Sequence, residues 1–148
     1  MTQASLPFDG HAVAEVTVYC DGGARGNPGP AAIGAVVLDS TTDPPVPVAT
    51  VSEYIGETTN NVAEYRALIA GLEAAATTPS RAVKVRGDSK LVIEQVAGRW
   101  KVKQEHLRPL VARARELLSR YEAVDLAHVR RELNSDADAL VNAALDLP

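Results

Sequence analysis

Four acidic residues stand where the sequence predicts that strands end or helices begin. They are Asp21, Glu64, Asp88 and Asp138. Functional sites of α/β folds gather at such strand ends and helix N-termini, so the four carboxylates could converge on one spot. Clustered carboxylates repel one another and cannot all stay ionised without compensation. Divalent cations supply that compensation, and carboxylate oxygens suit Mg²⁺ or, alternatively, Mn²⁺.

Each acidic residue taken alone also fits a purely structural role. Glu64 and Asp138 lie where an acidic side chain interacts favourably with a helix macrodipole. Asp88 or Ser89 could be the N-cap of the helix that follows the R-G-D-S segment. A simple turn does not need an aspartate at position 21, directly before a stretch rich in glycine and proline. The combination of the four acids therefore favours a metal site more than any single residue does.

The apolar pattern predicts the elements that would position these acids. Short β-branched runs indicate strands, and apolar residues spaced three and four apart indicate helices. The predicted strands span residues 15–20, 32–38, 48–55, 82–86 and 124–129. The predicted helices span a segment from Thr59 or Asn60 to about 76, then 91–96, 104–121 and 135–145. Residues 21–30 are predicted to be a turn-rich loop. This order predicts an α/β fold with a mixed five-stranded sheet, three antiparallel strands and then two more, and helices on both faces.

Length and composition predict one folded domain. The chain has 148 residues, of which 46% are hydrophobic and 23% charged, and this suits a single core. Residues 1–14 are predicted to be an N-terminal arm, and residues 15–148 the domain. No run approaches the ~20 apolar residues of a membrane span, and the first residues do not resemble a secretory signal. We therefore expect a cytoplasmic protein with no membrane partner, in which the single Cys20 is a small core residue.

The charge distribution bears on a nucleic-acid partner. The net charge of −4 argues weakly against one. Residues 81–115, however, contain ten Lys or Arg and only three Asp or Glu, whereas the segments on either side are acidic. Such a basic segment could contact a phosphate backbone, or it could be a solvated helix face.

Four motifs, in order along the chain, resemble those of the ribonuclease HI family, the type-1 ribonucleases H. They are D-G-G-A-R-G-N-P-G-P at 21–30, T-T-N-N-V-A-E-Y at 58–65, D-S-K-L-V at 88–92, and H-V-R-R-E-L-N at 128–134 with A-D-A-L at 137–140. The resemblance covers about residues 15–145. It implies a metal-dependent endoribonuclease that cleaves the RNA strand of an RNA/DNA hybrid and leaves a 5′ phosphate and a 3′ hydroxyl.

The same resemblance implies roles for individual residues. The four acids would be catalytic and would bind two Mg²⁺ ions at the scissile phosphate. Contacts with RNA hydroxyls fall to Asn27, Asn60 and Asn61, and a DNA-phosphate pocket falls to Thr59. Further candidate substrate-binding residues are Gly22, Ser89 and Trp100. Helix capping is the alternative role of the asparagines, and packing in the core or against a helix is that of the tryptophan.

Several features depart from the family pattern. Residues 98–103 are too few for the basic protrusion that grips the DNA strand in many members. We therefore expect a compact form with modest affinity that salt weakens. The loop before Asp138 lacks the histidine of some members, and one of the charged residues 130–132 could substitute for it. His128 is predicted to be structural, and Lys90 stands where other members often have glutamine.

Three other identities of the chain compete with this interpretation. The first is another nuclease of the same superfold, such as a resolvase, transposase or exonuclease, which the four motifs disfavour. The second is a catalytically weak nucleic-acid-binding module of the same fold, which the complete set of acids disfavours. The third is a domain of a longer fused protein, which the sequence leaves open, as it does the preferred metal. We expect a monomer.

Overall fold

The computed structural model describes residues 14–148, so the predicted arm at 1–14 lies almost entirely outside the described residues. The strands are β1 (Glu15–Ala24), β2 (Gly29–Asp39), β3 (Val46–Thr58), β4 (Ala82–Gly87) and β5 (Ala123–His128). The helices are α1 (Asn60–Ala75), α2 (Lys90–Val96), α3 (Arg108–Leu118) and α4 (Ser135–Asp146). Single 3₁₀ turns at Glu105–Leu107 and Arg131–Asn134 precede α3 and α4.

The five strands form one mixed sheet in the order β3-β2-β1-β4-β5. Short turns make β1, β2 and β3 antiparallel neighbours, whereas β4 and β5 pair in parallel beyond β1. A parallel partner requires a crossover, which α1 provides between β3 and β4. The predicted fold class is therefore confirmed. Its consequence for function is that the carboxyl ends of β1 and β4 lie side by side.

The helices cover both faces of the sheet, as predicted. On one face α1, α2 and α3 pack on the strands around fully buried side chains that include Val18, Leu68 and Leu117. On the other face α4 packs on β2 through Val141 and Ala144. The central strands are thus covered on both sides, which explains why β2 is a nearly continuous apolar run.

Two predicted boundaries were wrong. The stretch at 21–30 was predicted to be a loop, but β1 continues pairing with β2 as far as Ala24 and Ala31. Only residues 25–28 form the turn. The backbone of residues 21–24 pairs instead with β2, because its glycines do not prevent an extended conformation and β2 supplies the hydrogen-bond partners. The helix predicted at 104–121 is a 3₁₀ turn followed by the shorter α3. Pro109 lies in the first turn of α3, where its missing N–H is tolerated and a continuous helix through it is not.

Cys20 is buried in the core, as predicted. No helix within residues 14–148 is long and apolar enough to cross a membrane.

Candidate active site

Three of the four predicted acids meet where β1 and β4 run side by side. One carboxylate oxygen each from Asp21, Glu64 and Asp88 lies within 4.8 Å of the other two. In the parallel pairing of β1 and β4, Cys20 lies opposite Gly87, so the next residue of each strand emerges at the same edge. Those next residues are Asp21 and Asp88. We call these three acids the carboxylate cluster.

Glu64 joins the cluster because α1 lies directly on β1. The backbone N–H of Gly22 donates a hydrogen bond to Glu64 Oε1 at 2.5 Å. A Cβ atom at position 22 would lie 2.2 Å from the carbonyl oxygen of Ala63, so only glycine permits this approach. Glu64 lies beyond the first turn of α1, contrary to prediction, so a contact with the helix N-terminus does not explain it.

Burial and mutual repulsion make the cluster resist ionisation. Burial raises the pKa of Asp21 to about 7, and the negative charge of Asp88 adds to this shift. Burial, followed by the charge of Asp21, likewise raises the pKa of Glu64 well above its usual range, although the Gly22 N–H acts in the opposite direction. A divalent cation among these oxygens would offset the repulsion, so the donor set fits a hard metal ion.

Asp138 lies beside the cluster rather than within it. Its Oδ1 lies 3.5 Å from Arg131 Nη2, and its Oδ2 lies 3.4 Å from Asn142 Nδ2. It is close enough to Asp21 to contribute to the raised pKa of that residue. The expectation that four carboxylates converge on one spot is thus met by three of them. Asp138 is carried by α4, which packs on the other face of the sheet from α1.

The four acids line one open groove of about 500 Å³. Of the other predicted site residues, Gly22, Asn60, Asn61 and Ser89 also line it. The groove contains three further polar side chains that have no definite role predicted from the sequence: Arg25, Arg131 and Asn142. Only Arg131 could have been suspected, as one of the charged residues 130–132.

Asn27 and two residues of the motif at 58–65, all predicted to contact the substrate, make hydrogen bonds within the protein. Thr59 is the N-cap of α1, and its Oγ1 accepts a hydrogen bond from the Val62 N–H. Asn27 Oδ1 accepts from the Asn60 N–H at 3.0 Å, and Asn60 Oδ1 accepts from the Ala24 N–H at 2.8 Å. The two asparagines therefore tie the β1–β2 turn to the start of α1. Neither is the N-cap, and their amide groups keep N–H donors.

The N-cap of α2 is Ser89 rather than Asp88, because the Ser89 Oγ accepts a hydrogen bond from the Val92 N–H at 3.4 Å. The Asp88 carboxylate is therefore not needed as a cap and is available to the cluster. His128 Nε2 lies 3.2 Å from the Asp88 carbonyl oxygen, so this histidine contacts the backbone of the site, consistent with a structural role.

A second groove adjoins the first and has a basic and aromatic lining. It shares Asn61 with the first groove, and its lining includes Trp100 and the side chains of Arg99, Lys101 and Lys103. Trp100 is 44% exposed, so it is not a core residue. Lys90 Nζ lies 5.9 Å from the centroid of the Trp100 ring, within the range of a cation–π contact.

Buried hydrogen bonds fix the backbone under this second groove. Gln95 is 4% exposed; its Oε1 accepts from the Tyr65 hydroxyl at 2.7 Å, and its Nε2 donates to the Lys101 carbonyl at 3.1 Å. Arg115 donates to the carbonyl oxygens of Gln95 and Val96 at the end of α2. The segment that carries Trp100 is therefore anchored to α1, α2 and α3 together.

The charged residues of the basic segment at 81–115 lie in two kinds of place. Lys90, Arg99, Lys101 and Lys103 lie at the second groove. Others pair elsewhere on the surface, such as Arg86 with Asp125 and Arg113 with Glu73.

Comparisons with known proteins agree with this geometry. A family model described as "Reverse transcriptase-like" matches residues 19–144. A bifunctional protein of Mycobacterium tuberculosis is 47% identical over 132 residues, which is 89% of this chain but only 36% of that protein. A ribonuclease HI of Halobacterium salinarum is 45% identical over 99% of this chain and 75% of its own length. A compost-derived ribonuclease H1, solved in complex with an RNA/DNA hybrid, superposes with a TM-score of 0.80 at 43% identity, covering 88% of this chain and 96% of that one.

The approach of α1 to β1 gives a stability prediction. We expect Gly22→Ala to lower the free energy of unfolding by about 1–3 kcal/mol, because the new methyl group must push the Ala63 backbone away. Gly23→Ala is the matched control, since a Cβ there meets only Asn60 Oδ1 at 3.9 Å. Urea unfolding of both variants measures the difference, and equal midpoints would contradict the proposed contact.

The raised pKa values give a pH prediction. In EDTA, the free energy of unfolding should fall as the pH rises from about 4 to about 7. In that window folded Asp21 still binds a proton that unfolded Asp21, with its usual pKa of 3.8, has lost. Asp21→Asn should flatten this fall and raise the melting temperature near pH 8, whereas Asp136→Asn, on the exposed start of α4, should not. Identical slopes in the parent and Asp21→Asn would show that Asp21 is not held protonated.

Proposed function

The chain belongs to the type-1 ribonuclease H family, and from this premise we propose that it is an endoribonuclease that hydrolyses the RNA strand of RNA/DNA hybrids. Its products would carry a 5′ phosphate and a 3′ hydroxyl. The observation that carries the proposal is the carboxylate cluster, whose three acids meet in an open groove. The likeness of the chain to a ribonuclease H1 solved with an RNA/DNA hybrid supports this substrate.

The cluster would hold the divalent cations of the reaction, with Asp138 at its edge. We propose Mg²⁺, two ions when substrate is bound, with Mn²⁺ as an alternative. The ligand set supports a hard cation, because the meeting atoms are carboxylate oxygens. When bound, such ions supply Lewis-acid stabilisation and lower the pKa of a water molecule. The chain's own contribution is to keep the three carboxylates at this spacing despite their repulsion.

Arg131 would take the place of the loop histidine found in some relatives. Among the charged residues 130–132 it is the one that lines the groove, and it contacts the Asp138 carboxylate. A guanidinium stays protonated at any pH near neutrality, so it would place a positive charge beside the Asp138 carboxylate and offer that charge to the phosphate strand. Asn142, on the other side of Asp138, would hold the second carboxylate oxygen in position.

Recognition of RNA would depend on the donors around the β1–β2 turn. The side-chain oxygens of Asn27 and Asn60 are occupied inside the protein, so their amide N–H groups are the atoms offered to a 2′-hydroxyl. Asn61 stands between the two grooves, where it could reach a base edge or a hydroxyl. Gly22 brings backbone close to the strand, because no side chain intervenes.

The second groove would receive the DNA strand. Trp100 offers a stacking surface, and the neighbouring lysines and Arg99 offer positive charge. The hydroxyls of Thr59 and Ser89 accept capping hydrogen bonds and can still donate to a phosphate. Since the grooves share Asn61, the two strands of one hybrid could occupy one groove each.

We further propose that residues 15–148 act as the catalytic domain of a cytoplasmic monomer. Support for one unit comes from a core shared by strands and helices from β1 to α3, closed on the other face by α4. A catalytically weak binding module is the competing function, and it differs in a direct cleavage assay.

Removal of one cluster acid gives the test of activity. With Mg²⁺ and a labelled hybrid, we expect Asp88→Asn to lower the cleavage rate at least about a thousandfold, or about 4 kcal/mol of barrier. EDTA should abolish cleavage by the parent, and Asp136→Asn should cleave normally. RNA/RNA and DNA/DNA duplexes are the substrate controls. Equal cleavage of all duplexes would indicate another nuclease class, and binding by the parent without cleavage would support the weak binding module.

Trp100 gives the test of the second groove. In the Asp88→Asn background, we expect Trp100→Ala to weaken hybrid binding about tenfold, since stacking on an aromatic side chain contributes roughly 1–3 kcal/mol. The free energy of unfolding should change less than for a core tryptophan, because Trp100 is 44% exposed. Tyr54→Ala is the control, as this 39% exposed side chain lies on the edge strand β3. Fluorescence anisotropy measures both, and equal effects would argue against the groove.

A further inference from the structure

The groove that contains the carboxylate cluster continues past it, between the β1–β2 turn and α4. Arg25 lies in this extension, opposite Asn142 and Leu145 of α4. Within residues 14–148, the cationic side chains that line the groove are Arg25 and Arg131, against four carboxylates. Arg131 contacts Asp138, so Arg25 is the positive charge of the extension itself.

The backbone of Arg25 is fixed by its neighbours. Its N–H donates to the Pro30 carbonyl at 2.8 Å, which closes the turn. A Cβ on Gly29 would lie 2.2 Å from the Arg25 carbonyl oxygen, so the start of β2 packs tightly against the start of the turn. The preceding residue, Ala24, is bound by Asn60 of α1. Arg25 therefore stands at a constant position relative to the cluster.

The side chain of Arg25 makes an exposed ion pair that another anion could replace. Its Nη2 donates to Asp146 Oδ1 at 2.7 Å, and the two side chains are 51% and 63% exposed. An ion pair this exposed contributes little to stability, so exchanging its carboxylate for another anion costs little. Asp146 engages one of the five N–H donors of the guanidinium, and a phosphate can accept from two of them at once.

We propose that Arg25 binds a phosphate of the RNA strand that flanks the scissile phosphate, and that Asp146 orients the guanidinium until the strand enters. This inference rests on the proposed function, because it requires a strand whose scissile phosphate lies at the cluster. Asp21 and Arg25 are four positions apart in or at the end of β1, so their backbones are roughly 13 Å apart at about 3.3 Å per residue. Arg25 therefore lies to one side of the cluster along the groove rather than over it.

Charge and position favour the RNA strand over the DNA strand. The acidic groove repels the phosphates on either side of the cleavage position, and a cation in the extension compensates this repulsion. Arg25 lines the groove that contains the cluster, whereas the groove lined by Trp100 does not include it. A strand that is cut at the cluster and continues towards α4 therefore passes Arg25.

Steady-state kinetics at several salt concentrations test the contact. We expect Arg25→Ala to raise KM for the hybrid about tenfold, with kcat within about twofold, and to reduce the slope of log affinity against log salt by about one. Arg25→Lys should recover part of the loss. Arg81→Ala is the control, since Arg81 is equally charged, 76% exposed and at the opposite end of β4, beside Glu122. Unchanged KM and salt slope in Arg25→Ala would overturn the proposal.

Neutral phosphate analogues identify the strand. Hybrids that carry one methylphosphonate at successive positions of the RNA strand should include a flanking position that weakens the parent but leaves Arg25→Ala unaffected. The same scan on the DNA strand should show no such position. Finding it on the DNA strand, or on neither strand, would overturn the proposal. The scan is also read by binding affinity, so failure of the parent to cleave any hybrid would refute the proposed function while the Arg25 contact is still decided separately.

Discussion

Three carboxylates held within 4.8 Å of one another repel, and the fold must hold them together against that repulsion. The parallel pairing of β1 with β4 places Asp21 and Asp88 at one edge of the sheet. The contact of α1 with β1 at Gly22 brings Glu64 to the same point. A further tie lies behind the cluster, where the buried Asn134 donates to the Cys20 carbonyl at 2.8 Å. The site is thus prepared for a cation before any cation binds.

Around the cluster, side-chain hydrogen bonds fix the backbone and leave other side-chain donors available. Asn27 and Asn60 use their side-chain oxygens to lock the β1–β2 turn onto α1, and each keeps an amide N–H group as a donor. Gln95, with Tyr65 and Arg115, locks the segment that carries Trp100. A short loop anchored in this way can present an aromatic ring and positive charges without the larger basic protrusion. Rigid placement lowers the entropy lost on binding a long, charged duplex.

Much of the fold and of the candidate site could be predicted from the sequence, because the signals were local. Apolar periodicity located every strand and helix, and the motifs located the acids. The extension of β1 through Ala24 could not be predicted, since it depends on β2 as a pairing partner rather than on the residues themselves. The offset of Asp138 depends on which sheet face α4 covers. The positions of Arg25 and Arg131 along the groove depend on contacts with α4, 121 and 7 residues away in sequence.

Calorimetric titration of the substrate-free protein with Mg²⁺ or Mn²⁺ near pH 7, in buffers of different ionisation enthalpy, measures whether a cation binds the carboxylate cluster and displaces protons from it. Cation binding to a cluster that holds protons must release them, because the pKa of Asp21 is about 7 and that of Glu64 is also raised. The expected result is proton release on binding, and loss of the binding itself in Asp88→Asn. Binding without proton release, or unchanged binding in that variant, would contradict it.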